Sequence, residues 1–395
     1  MHIAVFVQHY HTPDCPTAGR PHALVCALAA HHDVTLITAN MGRKRRITNS
    51  YRWVPPGVTH HEVPVPYQNE MNAAQRLVSF GRYAAQAALR GLAAGPPDIV
   101  LASSTPLTVP VVGALVARRY GVPWVFEVRD LWPDFPIQMG AVPAAGAQRA
   151  LYALERYLYR DARHVVALSP DMARHVRRRS GHNRVSMNPY GTDLSLLRRA
   201  PTREAEALCP LQDGQRLVLY AGSFGRANAL PTLLDAARRL RDRLDIVWAF
   251  VGSGYYQPDI EAAAQRLPNV RMLPPQPYSR TLALFKHATL SITSFVDRHV
   301  LRTNAPSKLM DSLAAGTPVI VTNPGWTKEL VTSGRCGWYV PPENPEGLAA
   351  CICQYMEQPS YVRARWSRNA IHLAHSRFDR ACHMRAYRQL IEGLA

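Results

Sequence analysis

An alternation of short apolar runs and amphipathic stretches, which occurs twice along the chain, constrains the fold more than any other sequence feature. The first block opens with the apolar run Ile3–Val7 and the second with Leu217–Ala221. Buried strands that alternate with helices indicate βαβ units and parallel sheets. Residues 196–215, between the blocks, mix Arg, Pro, Glu and Gly without a strand pattern. We therefore predict an α/β protein with two doubly wound, Rossmann-like domains, residues 1–195 and 196–374, and a last helix at about 375–395 that packs back on the first domain.

Charge and cysteine content narrow the classes of function. The 395-residue chain carries 46 Lys and Arg against 28 Asp and Glu, a formal net charge of +18. This charge favours anionic partners: nucleic acid, acidic lipid surfaces or phosphorylated small molecules. The seven cysteines contain no CxxC pair, which indicates reduced thiols rather than a disulfide framework or a zinc site. The start of the chain shows no basic leader and only a short apolar run, so we expect a cytoplasmic protein.

Charged and flexible residues follow two strands of the predicted first sheet. Gly19 and Arg20 end the loop after the first strand, and Glu127, Arg129 and Asp130 lie where a later strand ends. Ligands of open parallel sheets bind at the carboxyl ends of strands, and charged groups there are costly unless they are used. These five residues are therefore site candidates. A plain tight turn at Gly19 and a structural ion-pair network around Arg129 are the alternative interpretations.

Two glycine turns end successive strands of the second block. The first is GSFGRAN, Gly222–Asn228, and the second is Gly252–Gly254. Such turns bring backbone N–H groups close to phosphates, and two at neighbouring strand ends are more informative than one. The predicted contacts are Gly222, Ser223, Arg226, Asn228, Gly252, Ser253 and, from a Pro-rich turn further on, Gln276.

A short helix predicted after Pro306 carries Ser307, Lys308 and Asp311 in its first turns. A helix start presents free N–H groups and the positive end of the peptide dipoles, so it favours an anion. Lys308 and Asp311 are three residues apart and share a face, which places a cation beside a carboxylate that can accept hydroxyl protons. Phosphate and polyol recognition together predict a nucleotide-sugar ligand, whereas an exposed Lys/Asp pair on an ordinary helix is the alternative.

The segment between the second and third predicted strands is basic. Residues 42–72 are weakly periodic and rich in Pro and Asn, so we expect an insertion, with a solvated or lipid-facing cluster at Arg43–Arg46. The following stretch, Met71–Leu92, predicts a basic amphipathic helix. Such a helix lies either in a membrane interface or against the body of its domain.

Several motifs together carry a resemblance to a known family. They are VFEVRDLWPD, VVALSPDM, NPYGTD, YAGSFGRANAL, FVGSG and PSKLMDSLAAGTPVIV, with the Gly19 loop before them. With them the chain resembles, nearly end to end, the family 4 glycosyltransferases, which have two facing Rossmann-like domains, the GT-B fold. VPVPYQNEMNAAQRLVSF adds a likeness to the bacterial surface-polysaccharide branch, including transferases of N-acetyl-fucosamine.

The resemblance implies roles for the candidate residues. The second domain would hold the nucleotide sugar, with Ser307 and Lys308 at the phosphate and Asp311 at the second glutamate of an E-x7-E pattern whose first position is Thr303. Ser223 and Asn228 stand where a basic pair is common, and Arg226 would replace one charge. Arg129 occupies the position of a catalytic histidine. The resemblance also implies that Gly19, Arg20 and Glu127 lie on the side of the site that receives the acceptor.

The implied reaction transfers a sugar from a UDP-sugar to an acceptor hydroxyl, with retention at the anomeric carbon. It needs no metal ion, and the sequence contains no DxD pair of the kind that metal-dependent glycosyltransferases use. Asp130 or Glu127 would orient the acceptor, or act as a base if the enzyme inverts. We expect a lipid-linked glycan acceptor and peripheral contact with the inner membrane face, with a soluble natural product as the competing acceptor. A nucleotide-sugar 2-epimerase, a nucleic-acid-binding protein and a non-catalytic partner subunit are alternatives from other classes.

Overall fold

The computed structural model describes residues 1–12, 15–16, 19–40, 54–65, 71 and 73–395, which form two parallel sheets. In the first sheet the strand order is β3-β2-β1-β4-β5-β6-β7, and in the second it is β10-β9-β8-β11-β12-β13. The strands of the first sheet are β1 (His2–Val7), β2 (Asp33–Asn40), β3 (Val58–Pro64), β4 (Ile99–Ser103), β5 (Trp124–Val128), β6 (His164–Ala167) and β7 (Val185–Met187). Those of the second are β8 (Arg216–Ala221), β9 (Ile246–Val251), β10 (Val270–Leu273), β11 (Leu290–Thr293), β12 (Val319–Val321) and β13 (Gly337–Tyr339).

Helices alternate with these strands. In the first half of the chain they are α1 (Arg20–Ala29), α2 (Ala73–Ala93), α3 (Thr108–Tyr120), α4 (Asp134–Gln138), α5 (Ala145–Asp161), α6 (Pro170–Ser180), α7 (Leu194–Arg199) and α8 (Thr202–Leu208). In the second half they are α9 (Leu230–Arg239), α10 (Gln257–Arg266), α11 (Tyr278–His287), α12 (Ser307–Ala314), α13 (Trp326–Ser333), α14 (Pro345–Met356), α15 (Ser360–Arg377) and α16 (Arg380–Glu392). The prediction of an α/β protein with two doubly wound domains is confirmed.

The central strands are apolar on both faces because helices cover both faces of the sheet. On one face of β1, Ile3 and Val5 pack with α1 and α16. On the other face, Ala4 and Phe6 pack in the cluster that includes α2 and α3. Parallel sheets covered in this way show continuous apolar runs rather than alternating ones, which is why the strands were recognisable in the sequence.

The interpretation of residues 42–72 as an insertion was wrong for Val58–Pro64. This stretch is β3, which pairs in parallel with β2 at the edge of the first sheet. Its His60, His61 and Glu62 are half-buried, so the strand lacks the apolar run that marks the central ones. An edge strand with one partner needs fewer apolar side chains, and its pattern is correspondingly weak. The basic cluster Arg43–Arg46 lies outside the described residues.

Two segments of the chain cross between the domains side by side. The N–H of Thr192 donates to the carbonyl of Phe378 at 2.8 Å, and the N–H of Arg380 donates to the carbonyl of Thr192 at 3.1 Å. After the second crossing, α16 packs on α1 of the first domain, where Tyr387 is buried. Within the described residues, no helix combines the length and the apolar character needed to cross a membrane.

We predict that Gly191→Ala destabilises the protein more than Gly214→Ala. Both glycines have positive φ, 63° and 81°, so alanine costs about 1–2 kcal/mol at each. At Gly191 the new Cβ would also lie 2.9 Å from the backbone N and Cα of Arg380, whereas Gly214 faces open space. We expect an additional loss of about 1–3 kcal/mol from this overpacking. Urea unfolding measures both, and equal losses would show that the two crossing segments do not depend on their close approach.

Candidate active site

A cavity of about 590 Å³ lies between the two domains, at the carboxyl ends of strands from both sheets. This is where ligands bind in open parallel sheets. The predicted site residues that line it are Gly19, Arg20, Arg129, Asp130, Gly222, Ser223, Asn228, Gly252, Ser253, Gln276, Pro306, Ser307, Lys308 and Asp311. Glu127 and Arg226 are not among its lining residues. The structure therefore brings most of the predicted residues of both domains to one place.

The two glycine turns pack directly against each other. Gly222 follows β8 with φ 145°, and Gly252 follows β9 with φ 152°. A Cβ on Gly252 would lie 1.9 Å from the carbonyl oxygen of Gly222, and a Cβ on Gly222 would lie 2.8 Å from Nζ of Lys308. Side chains are excluded at both positions, so the backbone itself forms this wall of the cavity.

The loop after Gly222 is braced by its own side chains. The carbonyl of Ser223 accepts hydrogen bonds from the hydroxyl of Tyr220 at 2.7 Å and from the amide of Asn228 at 3.1 Å. The predicted donor contact Asn228 therefore also shapes the loop. Arg226 is exposed, its guanidinium lies 4.0 Å from the centre of the Tyr255 ring, and it is not among the residues that line the cavity.

Lys308 lies at the start of α12, where no side chain caps the helix. Its Nζ is 4.0 Å from the centre of the Tyr220 ring. Burial lowers the pKa of Lys308 to about 7, and among the described residues no ion pair of Lys308 offsets that effect. An ammonium in such a place gains stability when an anion binds beside it, because the anion replaces lost hydration.

Asp311 has a different environment from the one the sequence indicated. Its Oδ1 accepts hydrogen bonds from the hydroxyl of Thr192 at 2.8 Å and from that of Tyr278 at 2.7 Å. Arg380 donates to the same Tyr278 hydroxyl at 2.9 Å. Burial raises the pKa of Asp311 to about 6, against the charge of Arg380 and the two hydrogen bonds. Oδ1 therefore joins segments of both domains at the back of the cavity.

The first domain contributes Arg129 and Asp130 to the opposite wall. The guanidinium of Arg129 donates to the hydroxyl of Tyr190 at 3.2 and 3.3 Å, and Asp130 Oδ2 accepts from the hydroxyl of Thr105 at 3.0 Å. Burial raises the pKa of Asp130, opposed by the charge of Arg129 and by the Thr105 hydrogen bond. Neighbouring positions thus present a cation and a carboxyl group to the same cavity.

Arg20, which lines the cavity, forms a buried pair with Glu127 behind this wall. Arg20 Nε donates to Glu127 Oε1 at 2.9 Å, and the hydroxyl of Ser103 donates to Oε2 at 2.6 Å. The remaining guanidinium nitrogens of Arg20 donate to the carbonyl of Pro189 at 2.6 Å and to Asn188 at 2.9 Å. Both side chains are about 1% exposed. The pair therefore fixes the start of α1 against the segment that leads into the second domain.

Sequence reasoning did not select two tyrosines of the cavity as site residues. Tyr190, from the motif NPYGTD, receives the hydrogen bonds of Arg129, and Tyr278, from the Pro-rich turn, joins Asp311 to Arg380. Both lie beside residues that the motifs had marked. Their contacts come from segments distant in sequence, so no local spacing shows them.

Two family models match nearly the whole chain. Residues 18–191 match the model described as glycosyl transferase 4-like domain, and residues 204–373 match that of the glycosyl transferases group 1. The chain belongs to the glycosyltransferases that combine these two domains in the GT-B fold. The two models correspond to the two sheets, so the interdomain cavity of this glycosyltransferase lies between them. The N-acetyl-fucosamine branch suggested by the sequence is finer than these matches resolve.

The chain is similar to several glycosyltransferases at low sequence identity. A D-inositol 3-phosphate glycosyltransferase of Nocardiopsis dassonvillei is 27% identical over 267 residues, which cover 63% of this glycosyltransferase but only 60% of the relative. The putative colanic acid biosynthesis glycosyl transferase WcaI of Escherichia coli is 25% identical over 312 residues, 75% of this chain and 76% of the relative. Anabaena HepE, solved in complex with UDP-glucose, has the same fold with a TM-score of 0.72, 17% identity and coverage of 100% of both chains.

We predict that Glu127→Gln costs this glycosyltransferase about 3–5 kcal/mol of stability, because it leaves the buried charge of Arg20 without its partner. Ser103→Ala removes only one hydrogen bond to the same carboxylate and should cost about 1 kcal/mol. The double variant Arg20→Met/Glu127→Gln should lose less stability than the sum of the losses in Arg20→Met and Glu127→Gln. Denaturant unfolding of the wild type and these four variants tests this, and strictly additive losses would contradict the pairing.

Proposed function

We propose that this glycosyltransferase transfers a sugar from a UDP-sugar to a hydroxyl group of an acceptor. The observation that carries the proposal is the ammonium group of Lys308, which lies at an uncapped helix start beside two glycine turns. The ammonium, the helix N–H groups and the turn N–H groups add their positive potential at one point of the cavity. A diphosphate suits that point. The Anabaena protein of the same fold, which binds UDP-glucose, supports a uridine donor.

In the proposed reaction the bond between the anomeric carbon and the diphosphate oxygen breaks, and the acceptor oxygen bonds to that carbon. Negative charge then develops on the departing diphosphate, and Lys308 with the start of α12 stabilises it. Following the family resemblance, we infer retention, with the acceptor proton passing to a phosphate oxygen. The positive groups come from the protein, so the proposed transfer step requires no metal ion.

The first domain would receive the acceptor. Arg129 and Asp130 line the cavity opposite Lys308, and we infer that Asp130 orients the acceptor hydroxyl while Arg129 adds positive potential near the diphosphate. Glu127 would act through Arg20, as a positioning residue, since it does not line the cavity. Arg226 stays a predicted phosphate contact that would have to leave the Tyr255 ring when the donor binds. Donor turnover to an epimer in the absence of any acceptor would instead indicate a 2-epimerase.

For the acceptor we propose a lipid-linked glycan intermediate of a surface polysaccharide at the inner membrane face. The colanic acid transferase among the relatives supports a polysaccharide role, and the resemblance to N-acetyl-fucosamine transferases favours an N-acetylhexosamine as the transferred sugar. On α2, Phe80, Tyr83 and Ala87 face the core, whereas Val78 and Leu89 are 55% and 67% exposed. Exposed apolar groups on a basic helix suit an anionic membrane interface.

We predict that donor binding is coupled to proton uptake by Lys308. Because its pKa in the free protein is about 7, the Lys308 side chain is mostly a neutral amine at pH 8. A bound diphosphate raises this pKa. UDP should therefore bind at pH 8 with uptake of nearly one proton, and affinity should fall as pH rises above 7. Calorimetric titration in two buffers of different ionisation enthalpy measures the uptake.

In Lys308→Met the uptake should vanish and affinity should fall roughly 10- to 100-fold, as expected for a lost hydrogen bond to a charged group. Lys328→Met is the matched control, because Lys328 also lies over a tyrosine, at 4.5 Å from the Tyr339 ring centre, and does not line the cavity. Equal affinity and equal proton uptake in wild type and Lys308→Met would refute the proposed donor site.

We predict that the protein floats with anionic vesicles at low salt, and that Val78→Gln/Leu89→Gln loses most of this binding. The two side chains are eleven residues apart, on one face of α2. Leu244→Gln is the control, because Leu244 is 60% exposed on the second domain. Wild-type protein that stays unbound at low salt would exclude the membrane-bound acceptor and favour a soluble one.

A further inference from the structure

We propose that the first domain binds a divalent transition-metal ion, Zn²⁺ or a close equivalent, between Asp134, Glu155 and His175. The three residues come from three helices, α4, α5 and α6. None of them lines the cavity between the domains. The inference is therefore independent of the proposed transfer reaction.

The spacing of the three side chains fits ligands of one ion. His175 Nε2 lies 3.6 Å from Asp134 Oδ2 and 3.4 Å from Glu155 Oε1. All three ligand atoms lie within 4.8 Å of one another. A tetrahedral zinc ion with bonds of about 2.0–2.1 Å holds neighbouring ligand atoms about 3.3 Å apart. The two separations from His175 Nε2 are thus longer than good hydrogen bonds and close to those of shared coordination.

The ligand atoms are buried and make no hydrogen bond of good geometry. Glu155 is 0% exposed, and its carboxylate interacts with the Tyr159 hydroxyl, but neither of its oxygens accepts a well-aligned hydrogen bond. Asp134 Oδ2 and His175 Nε2 are also buried and lack such a bond. Burial of polar groups with poor partners is costly. Three ligand atoms that lie close together and lack good hydrogen bonds favour an ion between them.

Two neighbours complete the surroundings. Arg179 lies 3.9 Å from Asp134 Oδ2 and 3.7 Å from Glu155 Oε2, and its guanidinium stacks 4.6 Å from the centre of the Tyr152 ring. Burial, followed by the charge of Glu155, raises the pKa of the Tyr159 hydroxyl well above its usual value. One guanidinium, at 3.9 and 3.7 Å, faces two carboxylates, and a divalent cation would offset the remaining negative charge.

The donor set selects the class of ion. One imidazole and two carboxylates are the ligands of zinc and of related transition ions, whereas Mg²⁺ and Ca²⁺ prefer oxygen alone. Three protein ligands leave a fourth position for water. Sequence reasoning had looked for paired cysteines and could not find this set, because its members become neighbours only when three helices pack together.

The ion would fix the relative position of two helices of the first domain that contact the second domain. On α4, Gln138 Oε1 accepts a hydrogen bond from the N–H of Val300 at 2.9 Å. At the start of α6, the hydroxyl of Ser169 donates to the carbonyl of Thr303 at 2.5 Å. Coordination by Asp134 and His175 would tie α4 to α6, and so fix both contacts with the second domain.

The test compares the full-length wild type with Glu155→Gln, His175→Gln and His372→Gln. His372 is exposed and distant in sequence from the cluster, so it controls for adventitious binding by the many histidines and the free thiols. Each protein is stripped with a chelator and dialysed against equimolar ZnCl₂, and bound zinc is measured by mass spectrometry. Co²⁺ replaces Zn²⁺ in a parallel series, because the visible absorption of bound Co²⁺ reports its coordination geometry.

We expect wild type and His372→Gln to retain one more equivalent of zinc than Glu155→Gln and His175→Gln. Added zinc should raise the Tm of wild type and His372→Gln but not that of the other two variants. Tetrahedral Co²⁺ absorption should follow the same division. Equal stoichiometry and equal Tm shifts in all four proteins would overturn the proposal. So would a wild type that takes up no zinc, a result that assigns the cluster to ion pairs between Arg179 and the two carboxylates.

Discussion

The geometry of the cavity depends on one buried carboxylate oxygen. Asp311 Oδ1 accepts hydrogen bonds from Thr192, at the first crossing between the domains, and from Tyr278, which is held by Arg380 at the second crossing. Asp311 belongs to the same helix as Lys308. The helix start that presents the ammonium is therefore anchored to both crossings, and its position relative to the first domain follows from hydrogen bonds in a dry environment, where they are strong.

The hydrogen bonds near the first crossing also connect a rotation of the domains with the geometry of the proposed donor site. The buried pair of Arg20 and Glu127 holds the segment at Pro189 that precedes the first crossing, and Arg129 holds Tyr190 from the cavity side. Rotation about the crossings would thus move Arg129 relative to Lys308 while each stays fixed to its own domain. Such closure would exclude water from the proposed transfer, in which water competes with the acceptor.

Local patterns predicted those parts of the molecule whose chemistry is local. A few adjacent residues are enough to indicate an apolar strand, a glycine turn such as those at Gly222 and Gly252, or the helix start at Ser307. The structure places both turns and this helix start at one cavity. The edge strand Val58–Pro64 was missed because half-buried polar residues hide its period. Glu127 was predicted to lie on the acceptor side, but its carboxylate is paired with the buried Arg20, which is distant in sequence. No spacing within the motif EVRD shows that partner.

The two positions that the resemblance assigns to an acidic pair also serve the junction between the domains. The hydroxyl of Thr303 donates to the carbonyl of Val300 at 2.7 Å, and its own carbonyl accepts from Ser169 of the first domain. Asp311 keeps a carboxylate, yet its Oδ1 is occupied by Thr192 and Tyr278. In the proposed donor site, recognition would then fall to the groups that line the cavity, which are the glycine backbone, the helix N–H groups and Lys308. Such a site would select first for a diphosphate, since backbone N–H groups and an ammonium recognise charge before they distinguish sugars.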